Sequence, residues 1–319
     1  MHWRRPPRWW PLALSVVTFL VSIAILVSLW DPITASHPAY FITLRVVAVM
    51  SVSVAAWNLL TLRAEPREPT PRPLWRVVLV RGVAVVAVLG LVTVLLYLRP
   101  HTASSTAVDA LAGSPGATVT ESSTRIRLQP TAEASTTGVV FYPGALVDPR
   151  AYVPNLLPLA EAGYPVVILK VPYNIAFLDP NGAQAVMDAN PEVERWVVGG
   201  HSLGGVMASA VAGRDDARIR GLLLWGSYPN SSISDRTELI AMSIYGSEDG
   251  LTTPAKVEAT KDRLPPDTTF VEVVGGNHAF FGDYGSQGGD GVATISREDA
   301  QRQIRAASLQ LVEKVASAS

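Results

Sequence analysis

The segment 199–205, which reads Gly-Gly-His-Ser-Leu-Gly-Gly, constrains the fold of this chain more than any other feature. It follows the apolar residues Val197 and Val198 and precedes a helix-like stretch. This order predicts a strand, a sharp turn with a serine at its apex, and a helix. The glycines two positions before and after the serine are expected to be essential, because side chains there would clash in so tight a turn. The pattern is typical of a serine nucleophile, but Gly-x-Ser-x-Gly alone also occurs by chance.

The 319 residues fall into two parts of opposite charge. Residues 1–100 contain ten arginines and only three acidic residues, whereas residues 101–319 contain 16 Lys and Arg against 24 Asp and Glu. The acidic second part argues against nucleic acid as a partner. The chain has no cysteine, which excludes disulfides and thiolate chemistry.

The first hundred residues contain three apolar stretches, at about 11–30, 40–62 and 77–98. Each is long enough to cross the hydrocarbon core of a bilayer, so this part is predicted to be an all-α membrane region with three transmembrane helices. The second and third stretches each contain one arginine, Arg45 and Arg81. Both lie near a span end and are predicted to reach the interface, with a functional intramembrane charge as the alternative.

The arginines that flank these stretches predict an orientation for the membrane region. Three arginines precede the first span, none lies in the loop 31–39, and four lie in the loop 63–76. Because cytoplasmic loops carry the excess of Lys and Arg, the N-terminus is predicted to be cytoplasmic. Everything after the third span is then outside the cytoplasm, anchored to the cell membrane. If the first stretch were a cleaved signal peptide, the two remaining spans would give the same result.

Residues 99–124 are rich in Ala, Ser, Thr and Gly, which predicts a flexible linker. From 125 to 319, continuous apolar, β-branched runs alternate with helix-like segments. Such runs are typical of buried parallel strands. Strands are predicted at 138–142, 165–171, 195–199, 221–225, 240–245 and 269–274, with edge strands at 118–120 and 125–129. Helices are predicted at 151–162, 203–213, 254–264 and 297–315. The expected domain is α/β, with a mostly parallel sheet and functional residues at the carboxyl ends of its strands.

Ser202 requires a base, and the position of each histidine leaves one candidate. The other four lie in the membrane region, in the linker, or next to the serine with a side chain expected to point away: His2, His37, His101 and His201. His278 follows the last predicted strand and is the expected base. Asp249, in the turn after strand 240–245, is expected to orient the imidazole, with Glu248 as the alternative. A structural histidine and a solvated turn carboxylate are the alternative interpretations.

Two backbone N–H groups are expected to stabilise an oxyanion. One belongs to Leu203, which follows the serine at the N-terminus of a helix. The other is expected in the loop after strand 138–142, at Ala145, with Gly144 as the alternative. A Pro-Gly turn without a catalytic role is the other interpretation of this loop.

These motifs together resemble the α/β-hydrolase superfamily, and more narrowly a small group of bacterial hydrolases without a cap domain. The resemblance covers about residues 125–319. It rests on Tyr-Pro-Gly at 142–144, the 199–205 turn, Tyr-Gly at 245–246 with Asp249, and Gly-Asn-His-Ala-Phe-Phe-Gly at 276–282. The chain order Ser202, Asp249, His278 is also that of the superfamily. The resemblance implies the fold and a catalytic triad, but is much less specific for the substrate.

Only residues 226–239 lie between two predicted strands, which leaves no room for a cap domain and predicts an open site. An open site outside the membrane favours ester hydrolysis of small-molecule or lipid substrates through an acyl-enzyme. Acyl transfer, thioester or amide hydrolysis, and a non-enzymatic membrane-tethered binding module are the alternatives. Oligomeric state is not predicted.

No metal-ligand spacing or nucleotide-binding motif is present, so no cofactor and no metal are expected. The glycine-rich segment 280–291 borders His278. It is predicted either to shape the substrate pocket or to tie a loop to the domain. Its carboxylates, Asp283 and Asp290, are expected to cap backbone N–H groups rather than to bind a cation.

Overall fold

The computed structural model describes residues 9–63 and 73–318. The chain divides into two compact units, one formed by Met1–Thr34 with Pro38–Arg99 and the other by Ala35–His37 with Pro100–Ser319. Several of the arginines on which the predicted orientation depends lie outside the described residues: Arg4, Arg5, Arg8, Arg67 and Arg72. The orientation therefore stays a prediction.

The first unit is helical. Its helices are α1 (Trp9–Ser28), most of α2 (Trp30–Ala35), α3 (Pro38–Arg63) and α4 (Leu74–Tyr97). By length and composition, α1, α4 and the part Pro38–Leu60 of α3 are apolar enough to cross a membrane. Serine and threonine hydroxyls in α1 donate to carbonyls four residues earlier, as in Ser22 to Thr18 at 2.9 Å, so they need no other partner in an apolar medium. The cations of Arg45 and Arg81 lie over the rings of Phe41 and Trp10.

The second unit contains one eight-stranded sheet with helices around it. Its strands are β1 (Ala117–Glu121), β2 (Arg125–Pro130), β3 (Thr137–Tyr142), β4 (Val166–Leu169), β5 (Arg195–His201), β6 (Ile219–Trp225), β7 (Ile240–Gly246) and β8 (Thr269–Val273). Its helices are α5 (Ser105–Asp109), α6 (Val153–Glu161), α7 (Gly182–Asp188), α8 (Leu203–Ala212), α9 (Pro254–Glu258) and α10 (Arg297–Ser317). Helix α10 begins where the Ser296 side chain accepts the N–H of Asp299, an N-cap that satisfies a helix-terminal donor.

The strand order across the sheet is β1-β2-β4-β3-β5-β6-β7-β8. β1 and β2 run antiparallel to their neighbours, and the six strands from β4 to β8 are parallel. The carboxyl ends of β3, β5, β6, β7 and β8 therefore meet at one edge of the sheet, where the predicted site residues lie.

Both faces of the sheet are covered. In β3, Val139 and Phe141 belong to one buried apolar cluster, whereas Val140 and Tyr142 belong to the other. This alternation follows from the two-residue period of a strand. The first cluster includes buried residues of α6 and α10, and the second includes residues of α7 and α8. A parallel sheet with helices on both faces is therefore confirmed.

The structure corrects two sequence-based expectations. The segment 99–124, predicted to be a flexible linker apart from the edge strand at 118–120, contains helix α5, and strand β1 pairs along its whole length with β2. Its small residues are compatible with flexibility, but Ala107 and Ala117 are completely buried in the core, which composition does not reveal. The helix predicted at 254–264 ends at Glu258 and is followed by a separate 3-10 turn.

Candidate active site

Ser202 lies between β5 and α8 in a turn that only small neighbours permit. Its φ of 52° is in the left-handed region, which costs a non-glycine residue about 1–2 kcal/mol. A Cβ on Gly200 would lie 2.3 Å from the carbonyl carbon of Gly204, and one on Gly204 would lie 2.3 Å from the carbonyl oxygen of Tyr142. The serine itself is partly exposed. Strand, strained apex and helix are thus arranged as the sequence predicts.

His278 and Asp249 form a completely buried pair at the ends of β8 and β7. His278 Nδ1 lies 2.7 Å from Asp249 Oδ2, and both side chains have no exposed surface. Asp249 Oδ1 accepts the backbone N–H groups of Leu251 and Thr252, so its carboxylate is fixed from both sides. Glu248, the alternative orienting residue, instead accepts the hydroxyl of Ser247. The geometry therefore pairs the histidine with Asp249.

The turn at Ser202, called the elbow below, and the His278–Asp249 pair are linked through the end of β6. The Ser202 N–H donates to the carbonyl of Trp225 at 2.9 Å. The next residue, Gly226, has φ +47°, and a Cβ there would lie 3.2 Å from both Asp249 Oδ2 and His278 Nδ1. His278 Nε2 has no hydrogen-bond partner among the described residues, so the structure does not join it to Ser202. Such contacts often tighten only when substrate binds.

The loop after β3 leaves one backbone donor free. Gly144 N–H donates to the Tyr152 hydroxyl at 2.9 Å, Leu146 N–H to the Asn174 carbonyl at 2.9 Å, and Val147 N–H to the Gly144 carbonyl at 3.2 Å. Ala145 N–H makes no hydrogen bond within the described part of the chain. Neither does Leu203 N–H, as expected for the first residue of a helix. Of the two predicted loop donors, Ala145 is therefore free and Gly144 is engaged.

His201 lies closer to the site than the sequence suggests. Its ring centroid is 4.5 Å from that of His278, and its Nδ1 lies 2.9 Å from the Tyr152 hydroxyl. The side chain is completely buried. Burial, and secondarily the neighbouring His278, hold the pKa of His201 well below its usual 6.5. Tyr152 was missed by sequence reasoning, since no local motif marks it.

Asp290 holds the loops that carry His278 and Asp249. Its Oδ1 accepts the N–H groups of His278, Gly250 and Gly291, and its Oδ2 accepts the N–H of Ala279. The carboxylate of Asp290 therefore caps backbone N–H groups, as the sequence analysis expects for this residue. Arg297 adds to this by donating to three carbonyls of the same loop, at Ala279, Gly282 and Tyr284.

Residues 226–239, between β6 and β7, contain no helix or strand, so no cap domain is inserted there. The segment 101–104 forms hydrogen bonds with the loop after β3 and with the segment that follows His278. His101 N–H donates to the Leu146 carbonyl at 2.6 Å, and Ser104 N–H donates to the Asp283 carbonyl at 2.9 Å.

The chain was compared with known protein sequences and structures. A search of curated protein sequences found no match. The structure is similar to a dienelactone hydrolase-like promiscuous phosphotriesterase from metagenomic libraries, with TM-score 0.47, 16% identity, and coverage of 60% of this chain and 92% of that chain. It is also similar to the esterase domain of a Rhodothermus marinus protein, with TM-score 0.46, 15% identity, and coverage of 59% and 92%. A third similar structure is a thermostable esterase from Pseudomonas putida, with TM-score 0.46, 14% identity, and coverage of 66% of this chain and 87% of that chain.

A family model described as the alpha/beta hydrolase family matches residues 138–302, more than half of the chain. The match begins in β3 and ends in α10, and it includes the positions of Ser202, Asp249 and His278. The chain therefore belongs to the α/β-hydrolase family.

Proposed function

We propose that this protein is a membrane-anchored serine hydrolase that cleaves carboxylic esters. Membership of the α/β-hydrolase family supports hydrolase activity. The observation that carries the serine mechanism is the buried His278–Asp249 hydrogen bond of 2.7 Å, formed beside an elbow whose apex is a serine. An acid–base histidine held by a carboxylate is the arrangement that activates a hydroxyl nucleophile.

In the proposed mechanism, Ser202 Oγ attacks the acyl carbon of the ester while His278 Nε2 accepts the hydroxyl proton. The carbonyl π electrons move to oxygen, and the resulting oxyanion accepts hydrogen bonds from Leu203 N–H and Ala145 N–H. Collapse breaks the bond to the alcohol oxygen, which takes the proton from His278. Water then attacks the acyl-enzyme by the same steps and releases the acid and free Ser202. Asp249 holds Nδ1 protonated and stabilises the imidazolium throughout.

The absence of an insertion between β6 and β7 supports an open site that admits varied acyl groups. The three apolar helices support anchoring in a membrane, and the arginine distribution in the sequence supports a hydrolase domain outside the cytoplasm. Together they favour acyl esters of lipids or of extracellular small molecules as substrates.

The test is labelling of the full-length protein in detergent with a fluorophosphonate probe, which reacts covalently with activated serines. We expect labelling of the parent and none of Ser202→Ala or His278→Ala. Ser286→Ala, which removes an exposed serine of the same domain, is the matched control and is expected to label normally. A folded parent that does not label would reject the serine mechanism and favour the binding-module alternative.

A labelled parent is then assayed on p-nitrophenyl esters of increasing acyl length, on a matched thioester and on a matched anilide. We expect kcat/KM to be highest for an oxygen ester. A higher value for the thioester, or transfer of the acyl group to an added alcohol in preference to water, would replace the esterase proposal with a thioesterase or acyltransferase.

A further inference from the structure

The two predicted oxyanion donors belong to different segments of the chain. Leu203 follows β5, whereas Ala145 follows β3, the neighbouring parallel strand. An oxyanion hole works only when both N–H groups lie about 2.7–3.1 Å from the developing oxyanion. Something must therefore fix the loop after β3 against the elbow.

A buried hydrogen-bond chain connects these segments. Gly144, the residue before Ala145, donates its N–H to the Tyr152 hydroxyl oxygen at 2.9 Å. The same hydroxyl lies 2.9 Å from Nδ1 of His201, the residue before Ser202. Tyr152 and His201 are both completely buried. These hydrogen bonds thus connect the loop after β3 to the elbow without contact with solvent.

The direction of each hydrogen bond follows from the groups involved. Gly144 N–H can only donate, so the Tyr152 oxygen accepts from it. No other acceptor for the Tyr152 hydroxyl is present among the described residues, so its proton points to His201 Nδ1. We assign His201 as the neutral tautomer with its proton on Nε2, an atom without a hydrogen-bond partner among the described residues. The lowered pKa of His201 agrees with a neutral ring, which also avoids repulsion when His278 becomes protonated.

The backbone is tightly packed around the hydrogen bonds that join Gly144, Tyr152 and His201. A Cβ on Gly144 would lie 2.7 Å from His201 Nδ1 and 3.0 Å from the Tyr152 hydroxyl. A Cβ on Gly204 would lie within 2.4 Å of the carbonyl oxygens of Tyr142 and Pro143. The start of α8 and the loop after β3 are therefore in direct contact, and small movements of that loop would displace Ala145 N–H.

We propose that Tyr152 and His201 are positioning residues that set the separation between the Ala145 and Leu203 N–H groups. Both act through the backbone, and neither touches substrate. This inference rests on the proposed function, because it assigns a role to these residues in stabilising the oxyanion of Ser202 chemistry.

The first variant is Tyr152→Phe in the full-length protein. It removes the hydroxyl but keeps the ring, whose centroid lies 5.2 Å from that of Phe141, so packing is retained. We expect kcat to fall about 10- to 100-fold, because small misplacements of catalytic groups cost up to about 10²-fold, while KM stays within about two-fold. Tyr164→Phe removes a half-exposed phenol elsewhere in the domain and is the matched control.

The second pair of variants tests the acceptor at position 201. His201→Asn places an amide oxygen where Nδ1 accepts, whereas His201→Leu has no acceptor. We expect Asn to retain much more kcat than Leu. We also expect Tyr152→Phe combined with His201→Leu to be no worse than the more damaged single variant, since both interrupt the same chain.

A trifluoromethyl ketone inhibitor separates positioning from a general loss of structure. Its adduct with Ser202 carries an oxyanion, so its Ki should rise by the same factor by which kcat/KM falls. If Tyr152→Phe lowers Tm but leaves kcat and Ki as in the parent, the residues are structural only and this proposal is rejected. Absence of fluorophosphonate labelling in the parent would reject the proposed function itself, so the two failures are distinguishable.

Discussion

The Nδ1 atom of His278 lies 2.7 Å from the Oδ2 atom of Asp249, and neither side chain has any exposed surface. Asp249 is held by two further backbone donors, and its partner histidine is held by the carboxylate of Asp290 through its own N–H. The pair is thus fixed by the loops around it. In the proposed mechanism this rigidity keeps the imidazole oriented while protons move.

Asp249→Asn tests the orienting carboxylate. The amide cannot stabilise an imidazolium and can hold the ring in the wrong tautomer, so we expect kcat to fall by about 10³- to 10⁴-fold with little change in stability. The matched control is Glu248→Gln, whose side chain can still accept the Ser247 hydroxyl. Equal losses in the two variants, measured by ester hydrolysis, would contradict the assignment of Asp249.

Asp290→Asn tests the carboxylate that joins the loops of His278 and Asp249. Its Oδ1 and Oδ2 together accept four backbone N–H groups, and an amide NH₂ in place of one oxygen would face a donor. We expect kcat to fall about ten-fold and the free energy of unfolding to fall by about 1.5–3 kcal/mol, the usual contribution of a hydrogen bond to a charged group. Asp267→Asn, at an exposed carboxylate, should change neither quantity.

Gly204→Ala tests the contact between α8 and the loop after β3. The added methyl group would meet the backbone carbonyl oxygens of Tyr142 and Pro143 at 2.3 and 2.4 Å. Backbone atoms in a sheet cannot move aside cheaply, so we expect a loss of about 3 kcal/mol in unfolding free energy, or failure to fold. Gly285→Ala has open space around its Cβ and should unfold like the parent. Equal denaturant midpoints for both variants would show that the contact is looser than described.

His201→Asn tests the buried neutral histidine through the pH dependence of stability. Burial lowers the pKa of His201 well below 6.5 in the folded state. Below pH 6.5 the unfolded chain therefore binds a proton that the folded chain does not, and stability falls as pH falls, by up to about 1.4 kcal/mol per pH unit. Asn does not titrate, so urea titrations between pH 5 and pH 7 should give a shallower slope for the variant by up to one proton. Parallel slopes would mean that folding does not lower the pKa of His201.

The absence of cysteine makes the predicted orientation easy to test. Ser286→Cys introduces a thiol at an exposed position of the α/β-hydrolase domain. Thr70→Cys introduces one in the sequence between the second and third apolar stretches, which is predicted to be cytoplasmic. In intact cells a membrane-impermeant maleimide should label the first variant at once and the second only after permeabilisation. The reverse result would place the α/β-hydrolase domain in the cytoplasm.

Much of the α/β-hydrolase domain follows from local sequence patterns. All six predicted parallel strands are present, because continuous β-branched runs have few alternatives to a buried strand. The turn at Ser202 was readable because glycine at 200 and 204 signals a conformation that other residues resist. The pairing of His278 with Asp249 was expected from elimination among five histidines and from chain order.

Other features depend on contacts between residues far apart in the chain, and no local pattern encodes them. The sequence by itself determined whether each apolar run forms a helix or a strand, because this depends on the hydrophobic period. It also determined the position of the serine, because the glycines around it mark a tight turn. Only the tertiary structure decided that 105–109 forms a helix, that Tyr152 connects Gly144 to His201, and that Asp290 ties together two loops. The physical reason is that burial and hydrogen-bond partners are properties of the packed chain, whereas hydrophobic period is a property of a segment.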